Sequence, residues 1–248
     1  MIDDGRPGKY WSPDEMQLSS EAVHVWCVAV EPLAGQVPEL AKLLSNDERS
    51  RANAFVNARD RERFIISHGI LRLLIGCYLE VAPDKVQFSQ GSHKKPCLGG
   101  HYASSGLQFN LSHSQSYALF AFSRHRQVGV DIEYIRPLPD MEQIAANTFS
   151  PQENLELDKL PPEQRLSAFY DYWTRKEAFV KALGKGLYYP LNRFSVSISP
   201  EKQNCYLMLD DNPADASRWA IMGLKVSGNY AAALAVEGHD WQLTVRTN

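Results

Sequence analysis

Two stretches of apolar residues at helical spacing constrain this chain of 248 residues more than any other feature. In the first, Phe64, Leu71, Leu74, Ile75, Tyr78 and Leu79 recur on one face. The second runs from about Glu163 to Leu183 and carries Leu166, Phe169, Tyr170, Trp173 and Val180 on one stripe, with Gly184 and Gly186 as its stop. An apolar helix face that long has to be covered, and strand-like segments accompany both helices. Around the first they are Val23 to Val30, Val86 to Ser89, Leu107 to Leu111 and Tyr117 to Phe122. Around the second they are Val128 to Ile135, Phe194 to Ile198, Cys205 to Leu209, Trp219 to Val226 and Tyr230 to Val236. The segment Gln90 to Gly106, rich in glycine, reads as a loop.

Strand, helices, long helix and strands thus occur twice. The expected fold is α+β, with two similar subdomains related by pseudo-two-fold symmetry and the site in the cleft between them. The expected boundaries are a flexible N-terminal tail over 1–20, a first subdomain over 21–125 and a second over 126–248.

Hydrophobic residues make up 44% of the chain, enough for a packed interior. The net charge of −3 and the lack of a long basic run argue against nucleic acid as a partner. Cys27, Cys77, Cys97 and Cys205 lie far apart with no CxxC pair, which argues against a zinc site or a disulfide framework. Met1 to Glu15 lacks the basic start and apolar core of a signal peptide, and no apolar run reaches the ~20 residues that span a bilayer. A cytoplasmic monomer with no membrane partner is expected.

The chemistry centres on acidic residues. In a strand over Gly129-Val130-Asp131-Ile132-Glu133, Asp131 and Glu133 share one face while Val130 and Ile132 turn to the core. Two carboxylates on one face repel unless a cation joins them, although the polar face of an edge strand has the same pattern. Glu177 lies near the middle of the second helix's apolar stripe, with Arg175 opposite. An ionised glutamate there is costly unless paired or metal-bound. Lys181 follows one turn later, either as a plain helix pair or as the cation beside a metal-bound phosphate.

Other residues are candidates for phosphate. Asn110 to Ser114 ends a strand in polar side chains that include Ser112 and His113. Lys94-Lys95-Pro96 lies in the loop, and Arg51, Arg59, Arg61 and Arg63 crowd the first half among acidic residues. Taken alone, that basic group reads as a solvated helical face.

Together these segments resemble the larger, Sfp-type 4′-phosphopantetheinyl transferases. The resemblance is carried by Gly129 to Glu133, by Trp173-Thr174-Arg175-Lys176-Glu177-Ala178-Phe179-Val180-Lys181 and by Gly184 to Leu187. Phe109 to Ser114, Lys95-Pro96 and Phe149-Ser150-Pro151-Gln152-Glu153 add to it. Around Ser112–Gln115 and Tyr134–Pro137 the wording is most similar to cyanobacterial, heterocyst-type members.

The resemblance implies transfer of the 4′-phosphopantetheine arm of coenzyme A to a serine of an apo acyl or peptidyl carrier protein, with release of 3′,5′-ADP. It implies Mg2+, or Mn2+ in its place, held by Asp131, Glu133 and Glu177. It implies catalytic roles for Lys181, at the diphosphate, and for Glu177, which accepts the serine proton itself or orients a water that does. Arg51, His113 and Arg63 would meet phosphate, Lys95 and Pro96 would line the coenzyme site, and Ser112 would position the ligand. Pro137, Leu138, Met141 and Ile144 would form a carrier-docking edge. Some members carry a basic residue where this chain has Glu48, three positions before Arg51, so a thinner or rearranged 3′-phosphate cradle is expected. A metal-dependent diphosphate hydrolase and a carrier-binding adaptor are the competing readings.

Overall fold

A computed structural model of the chain describes residues 16–91, 95–186, 189–198, 207–209 and 213–247. Lys94, Leu187, Cys205 and residues 1–15 of the expected tail lie outside these.

Along the chain, β1 (Ala22–Ala29) is followed by α1 (Val37–Leu43), α2 (Asn46–Asn53) and α3 (Ala58–Leu79). A short hairpin, β2 (Phe88–Gln90) and β3 (Pro96–Leu98), leads to β4 (Leu107–Ser114) and β5 (Tyr117–Arg124). Then come β6 (Val128–Tyr134), α4 (Met141–Thr148), α5 (Pro151–Lys159) and α6 (Pro162–Leu183). The chain ends in β7 (Phe194–Val196), β8 (Leu207–Leu209), α7 (Pro213–Ala216), β9 (Trp219–Gly223), β10 (Tyr230–Glu237) and β11 (Gln242–Thr247).

Alternation along the strands builds the layers. The odd residues of β1, Val23, Val25 and Cys27, join Leu119 and Ala121 of β5 in an apolar seam against Val128, Val130 and Ile132 of β6 and Leu234 of β10. The even residues Trp26 and Val28 pack with α3 instead. In the second half, Ala231, Ala233 and Ala235 of β10 pack with α6. The order is therefore helix, sheet, sheet, helix, and each half carries one 22-residue helix. The first sheet runs β11-β1-β5-β4 and the second β6-β10-β9. The α+β architecture with two subdomains is the one the helix-strand repeat implies.

Two details depart from the sequence reading. Leu18 is buried in the first core and its carbonyl accepts from Arg124 Nε at 2.8 Å, so 16–20 is anchored rather than a loose tail. The C-terminal strand β11 pairs parallel with β1, so the chain returns to the first half's sheet. Helix α3 starts before Phe64, at Ala58, with Asn57 as its cap.

Helix α6 sits unusually close to β6. A Cβ on Gly129 would lie 2.1 Å from the carbonyl oxygen of Ala178 and 2.4 Å from the nitrogen of Ala182, so only glycine permits this approach. Gly184, with φ of 68°, ends the helix in the left-handed conformation. The buried side of α6 is broader than a stripe. Lys176 is fully buried, with Nζ 2.8 and 2.6 Å from the Glu153 oxygens and 2.6 Å from the Phe194 carbonyl. Arg175, expected opposite the apolar stripe, is also buried and donates to the Asp171 carbonyl at 3.0 Å. Glu177 and Trp173, by contrast, are half-buried at the cleft.

Candidate active site

The seam between the halves is stitched by one face of β4. Asn110, Ser112 and Ser114 alternate, so all three point the same way. Asn110 Oδ1 accepts from the Val130 N–H at 2.9 Å, Ser112 Oγ donates to Asp131 Oδ1 at 2.8 Å, and Ser114 Oγ donates to Glu133 Oε2 at 3.0 Å. The sequence reading assigned Ser112 to the ligand and gave Asn110 and Ser114 no role beyond a polar strand end suited to phosphate. Their period-two spacing was the signal available.

From the opposite side, α6 delivers Lys181. Its Nζ lies 2.5 Å from Asp131 Oδ1 and 2.9 Å from Ser112 Oγ. Asp131 is buried, and its second oxygen, Oδ2, has no hydrogen-bond partner among the described residues. Glu133 and Glu177 complete the acidic group. Burial first, and then the Asp131 carboxylate, hold both above the usual carboxylate range. Asp131, Glu133, Glu177, Lys181, Ser112 and His113 all line one cavity of about 420 Å³. The strand and helix expectations thus bring the three carboxylates and the lysine together. They do not close into a cage: among the described residues, no three His, Cys, Asp or Glu side chains are gathered around one point.

Leu111 lines this cavity and also a larger one of about 770 Å³, which makes them neighbours. The larger cavity carries Arg51, Pro96, His68, Phe88 and Phe109 on its wall. His113 is exposed, and its imidazole is held below its usual value, first by desolvation in the cleft and then by His68, Lys181 and Arg63. Arg51 is exposed with its guanidinium 5.4 Å over the Phe64 ring. Arg63 donates to Gln115 Oε1 at 2.9 Å and pairs with Asp60 at 3.4 Å.

Two expected groups sit elsewhere. Lys95 lines neither cavity. Its ammonium donates to the Ala182 carbonyl at the end of α6 at 3.1 Å and to the Val128 carbonyl at 3.3 Å, and burial lowers it to about 8. It fastens the β3 hairpin to the second half. In the docking edge, Met141 is buried, and Leu138 and Ile144 pack against the second core, because the apolar side of α4 faces inward. Pro137 is exposed, as is Tyr134 at the end of β6.

Glu48 does not project into solvent. Its Oε2 accepts from the Ser45 N–H at 2.8 Å, closing a capping box, and from Arg72 Nε at 2.7 Å; its Oε1 lies 3.0 Å from His68 Nδ1. Burial pushes this carboxyl up, but bonds from His68 and Ser45 and the Arg72 charge outweigh it and bring it down to about 2.

Two stacked subdomains meet at an acidic trio and a lysine, which suit a phosphorylated ligand, and a larger cavity of the first half adjoins them. Residues 127–235 match the 4′-phosphopantetheinyl transferase superfamily, and residues 29–125 match the 4′-phosphopantetheinyl transferase N-terminal family. The chain is 41% identical to the 4′-phosphopantetheinyl transferase HetI of Nostoc sp., over 93% of this chain and 94% of that protein. It is 34% identical to a putative 4′-phosphopantetheinyl transferase of Synechocystis sp., over 79% and 77% of the two chains. It is 29% identical to the 4′-phosphopantetheinyl transferase Sfp of Bacillus subtilis, over 64% and 69%. Among solved structures, the holo-[acyl-carrier-protein] synthase of Thermotoga maritima matches at 22% identity and a TM-score of 0.37, over 45% of this chain and 62% of that one. The chain belongs to the 4′-phosphopantetheinyl transferase superfamily, and the cyanobacterial, heterocyst-type resemblance fits its matches.

Proposed function

We propose that the chain transfers the 4′-phosphopantetheine arm of coenzyme A to a serine hydroxyl of an apo acyl or peptidyl carrier protein, releasing 3′,5′-ADP. The observation that carries this is the Asp131–Lys181–Ser112 cluster beside Glu133 and Glu177, in a seam cavity that adjoins a larger cavity of the first half. The larger cavity, with Arg51, His68 and Arg72 beside Asp47, Glu48 and Asp84 on its wall, has the size for a nucleotide end, and the smaller one, with Lys181, suits a diphosphate.

Asp131, Glu133 and Glu177 are the residues that would hold Mg2+, with Mn2+ as a substitute. The fit rests on an all-oxygen donor set, on the Asp131 Oδ2 that has no partner among the described residues, and on two further carboxylates raised by burial and then by the Asp131 charge. When bound, such an ion supplies positive charge to a diphosphate oxygen.

The chain's own groups do the rest. Ser112 fixes the Asp131 and Lys181 side chains in place. Lys181 neutralises charge on the departing nucleotide phosphate. The carrier serine oxygen forms a bond to the phosphorus attached to pantetheine. The bond from that phosphorus to the bridging oxygen breaks, and its electron pair leaves with 3′,5′-ADP. Glu177, whose affinity for a proton is raised, takes the serine proton. No helix among the described residues is long and apolar enough to cross a membrane. Cys27, Cys77 and Cys97 are free thiols, in keeping with a reducing, cytoplasmic setting.

Intact-mass spectrometry of an apo carrier tests the reading. Coenzyme A with Mg2+ adds one phosphopantetheine arm, while chelation or Asp131→Ala removes the gain. An Asp131→Ala protein that modifies carrier at the normal rate rejects the assignment. Release of 3′,5′-ADP without carrier points instead to a hydrolase.

A further inference from the structure

We propose that Ser114 is a positioning residue for the acidic site, one that ties up one oxygen of Glu133 and leaves the other for the metal. This rests on the reading of Asp131, Glu133 and Glu177 as the residues that hold Mg2+. The second sheet runs β6-β10-β9, so β6 is an edge strand with no strand paired to its outer side. Side chains of β4 take the place of that partner. The Val130 N–H donates to Asn110 Oδ1 at 2.9 Å and the Tyr134 N–H to Ser114 Oγ at 3.0 Å, partners 20 residues apart in both cases. The hydroxyls of Ser112 and Ser114 donate to Asp131 and Glu133, partners 19 residues apart in both cases. Two serines at period two thus meet two carboxylates at period two, and a slip of one residue would break every one of these bonds.

The direction of the Ser114 bond follows from its partners. The Tyr134 N–H occupies a lone pair of Ser114 Oγ, and an ionised carboxylate only accepts, so the single hydroxyl proton goes to Glu133 Oε2. Glu133 Oε1 then has no hydrogen-bond partner among the described residues, and Glu133 lines the same cavity as Asp131, Glu177 and Lys181. Asp131 is divided in the same way. Its Oδ1 is held by Ser112 and Lys181, and its Oδ2 has no partner among the described residues. Each β6 carboxylate is therefore left with one oxygen to offer a cation.

The hydroxyl is itself held in place. Ser114 is the last residue of β4, and the turn after it is anchored to both halves. Gln115 Oε1 accepts from Arg63 of α3 at 2.9 Å, and the Ser116 N–H donates to the Tyr230 hydroxyl of β10 at 3.1 Å. A donor fixed in this way sets the orientation of the Glu133 carboxylate before a cation arrives. Without it, binding has to order that carboxylate first.

Mn2+ titrations followed by electron paramagnetic resonance, with coenzyme A present and no carrier, test this. Ser114→Ala is expected to raise the Mn2+ dissociation constant roughly tenfold. The Mg2+ concentration for half-maximal transfer rises by a similar factor, while kcat at saturating Mg2+ changes far less. Ser114→Thr keeps the hydroxyl and is expected to bind Mn2+ as the wild type does. Ser114→Cys keeps the bulk but is a weak donor, so it weakens Mn2+ in the same direction and decides the question if the alanine variant does not fold. Wild-type Mn2+ affinity in the alanine or cysteine variant overturns the inference, as does a threonine variant as weak as alanine. If the wild-type chain binds no Mn2+, the metal assignment fails and the inference falls with it. A wild-type chain that binds Mn2+ yet transfers nothing defeats the transfer reading, while the comparison of Mn2+ affinities still decides the role of Ser114.

Discussion

The Lys181 ammonium lies 2.5 Å from Asp131 Oδ1, so the last turns of α6 and the middle of β6 are joined by a partly buried ion pair at the centre of the site. That contact fixes one oxygen of Asp131 and leaves Oδ2 buried without a partner among the described residues. Around it stand two carboxylates, Glu133 and Glu177, that the surroundings penalise when ionised.

Glu177 is raised above its unperturbed value of 4.5, first by burial and then by the Asp131 charge. A carboxyl raised on folding contributes stability below its unfolded value and loses it as the pH climbs through the folded one. At pH 7, in the metal-free protein, Glu177 therefore opposes folding. Glu177→Gln is expected to raise the Tm by about 2–4 °C at pH 7, taking the relief as about 1 kcal/mol. The gain shrinks below pH 4.5, and transfer is lost at every pH. Calorimetric scans across pH check this, and a lowered Tm at pH 7 contradicts it.

Lys176 and Glu153 are 0% and 1% exposed, and their closest approach is 2.6 Å. Lys176→Met leaves the Glu153 carboxylate buried without its cation, which is expected to cost about 3–5 kcal/mol. Changing both residues to apolar ones recovers only part of this, since Glu153 also accepts from the Ser150 and Val196 N–H groups. Urea denaturation of the single and double variants measures both effects. A Lys176→Met loss under about 1 kcal/mol contradicts the pairing argument.

Gly129→Ala drives a methyl group into the backbone of α6 at Ala178 and Ala182. Backbone atoms cannot rotate away, so the helix shifts outward and takes Glu177 and Lys181 with it. The expected result is a loss of at least about 2 kcal/mol in stability and roughly hundredfold in transfer rate. Denaturation and single-turnover transfer test the two parts, and wild-type values for both contradict the close-packing account.

Much of this site was legible in the residue order because it depends on local periodicity. Period two placed Asp131 and Glu133 on one face of β6, and period 3.6 set Glu177 and Lys181 one turn apart on α6. The positions of charged side chains that depend on distant partners were not legible. Arg175 and Lys176 look like surface residues by type, yet they are buried because Asp171, Glu153 and the Phe194 carbonyl receive them. Met141 looks like a docking residue until α4 turns it inward. Lys95 looks like a ligand contact until the end of α6 offers it carbonyls.

Sequence alone determined the two long helices, the acidic strand, the lysine one turn beyond Glu177 and the family resemblance, since each lies within a continuous segment where spacing dictates direction. Tertiary structure decided the return of β11 to the first sheet, the stitching of β4 to β6 and the inward turn of Glu48 toward His68 and Arg72. Those features depend on which segments, tens of residues apart, come to share one low-dielectric space, and a buried charge or strand edge takes whatever partner that packing supplies.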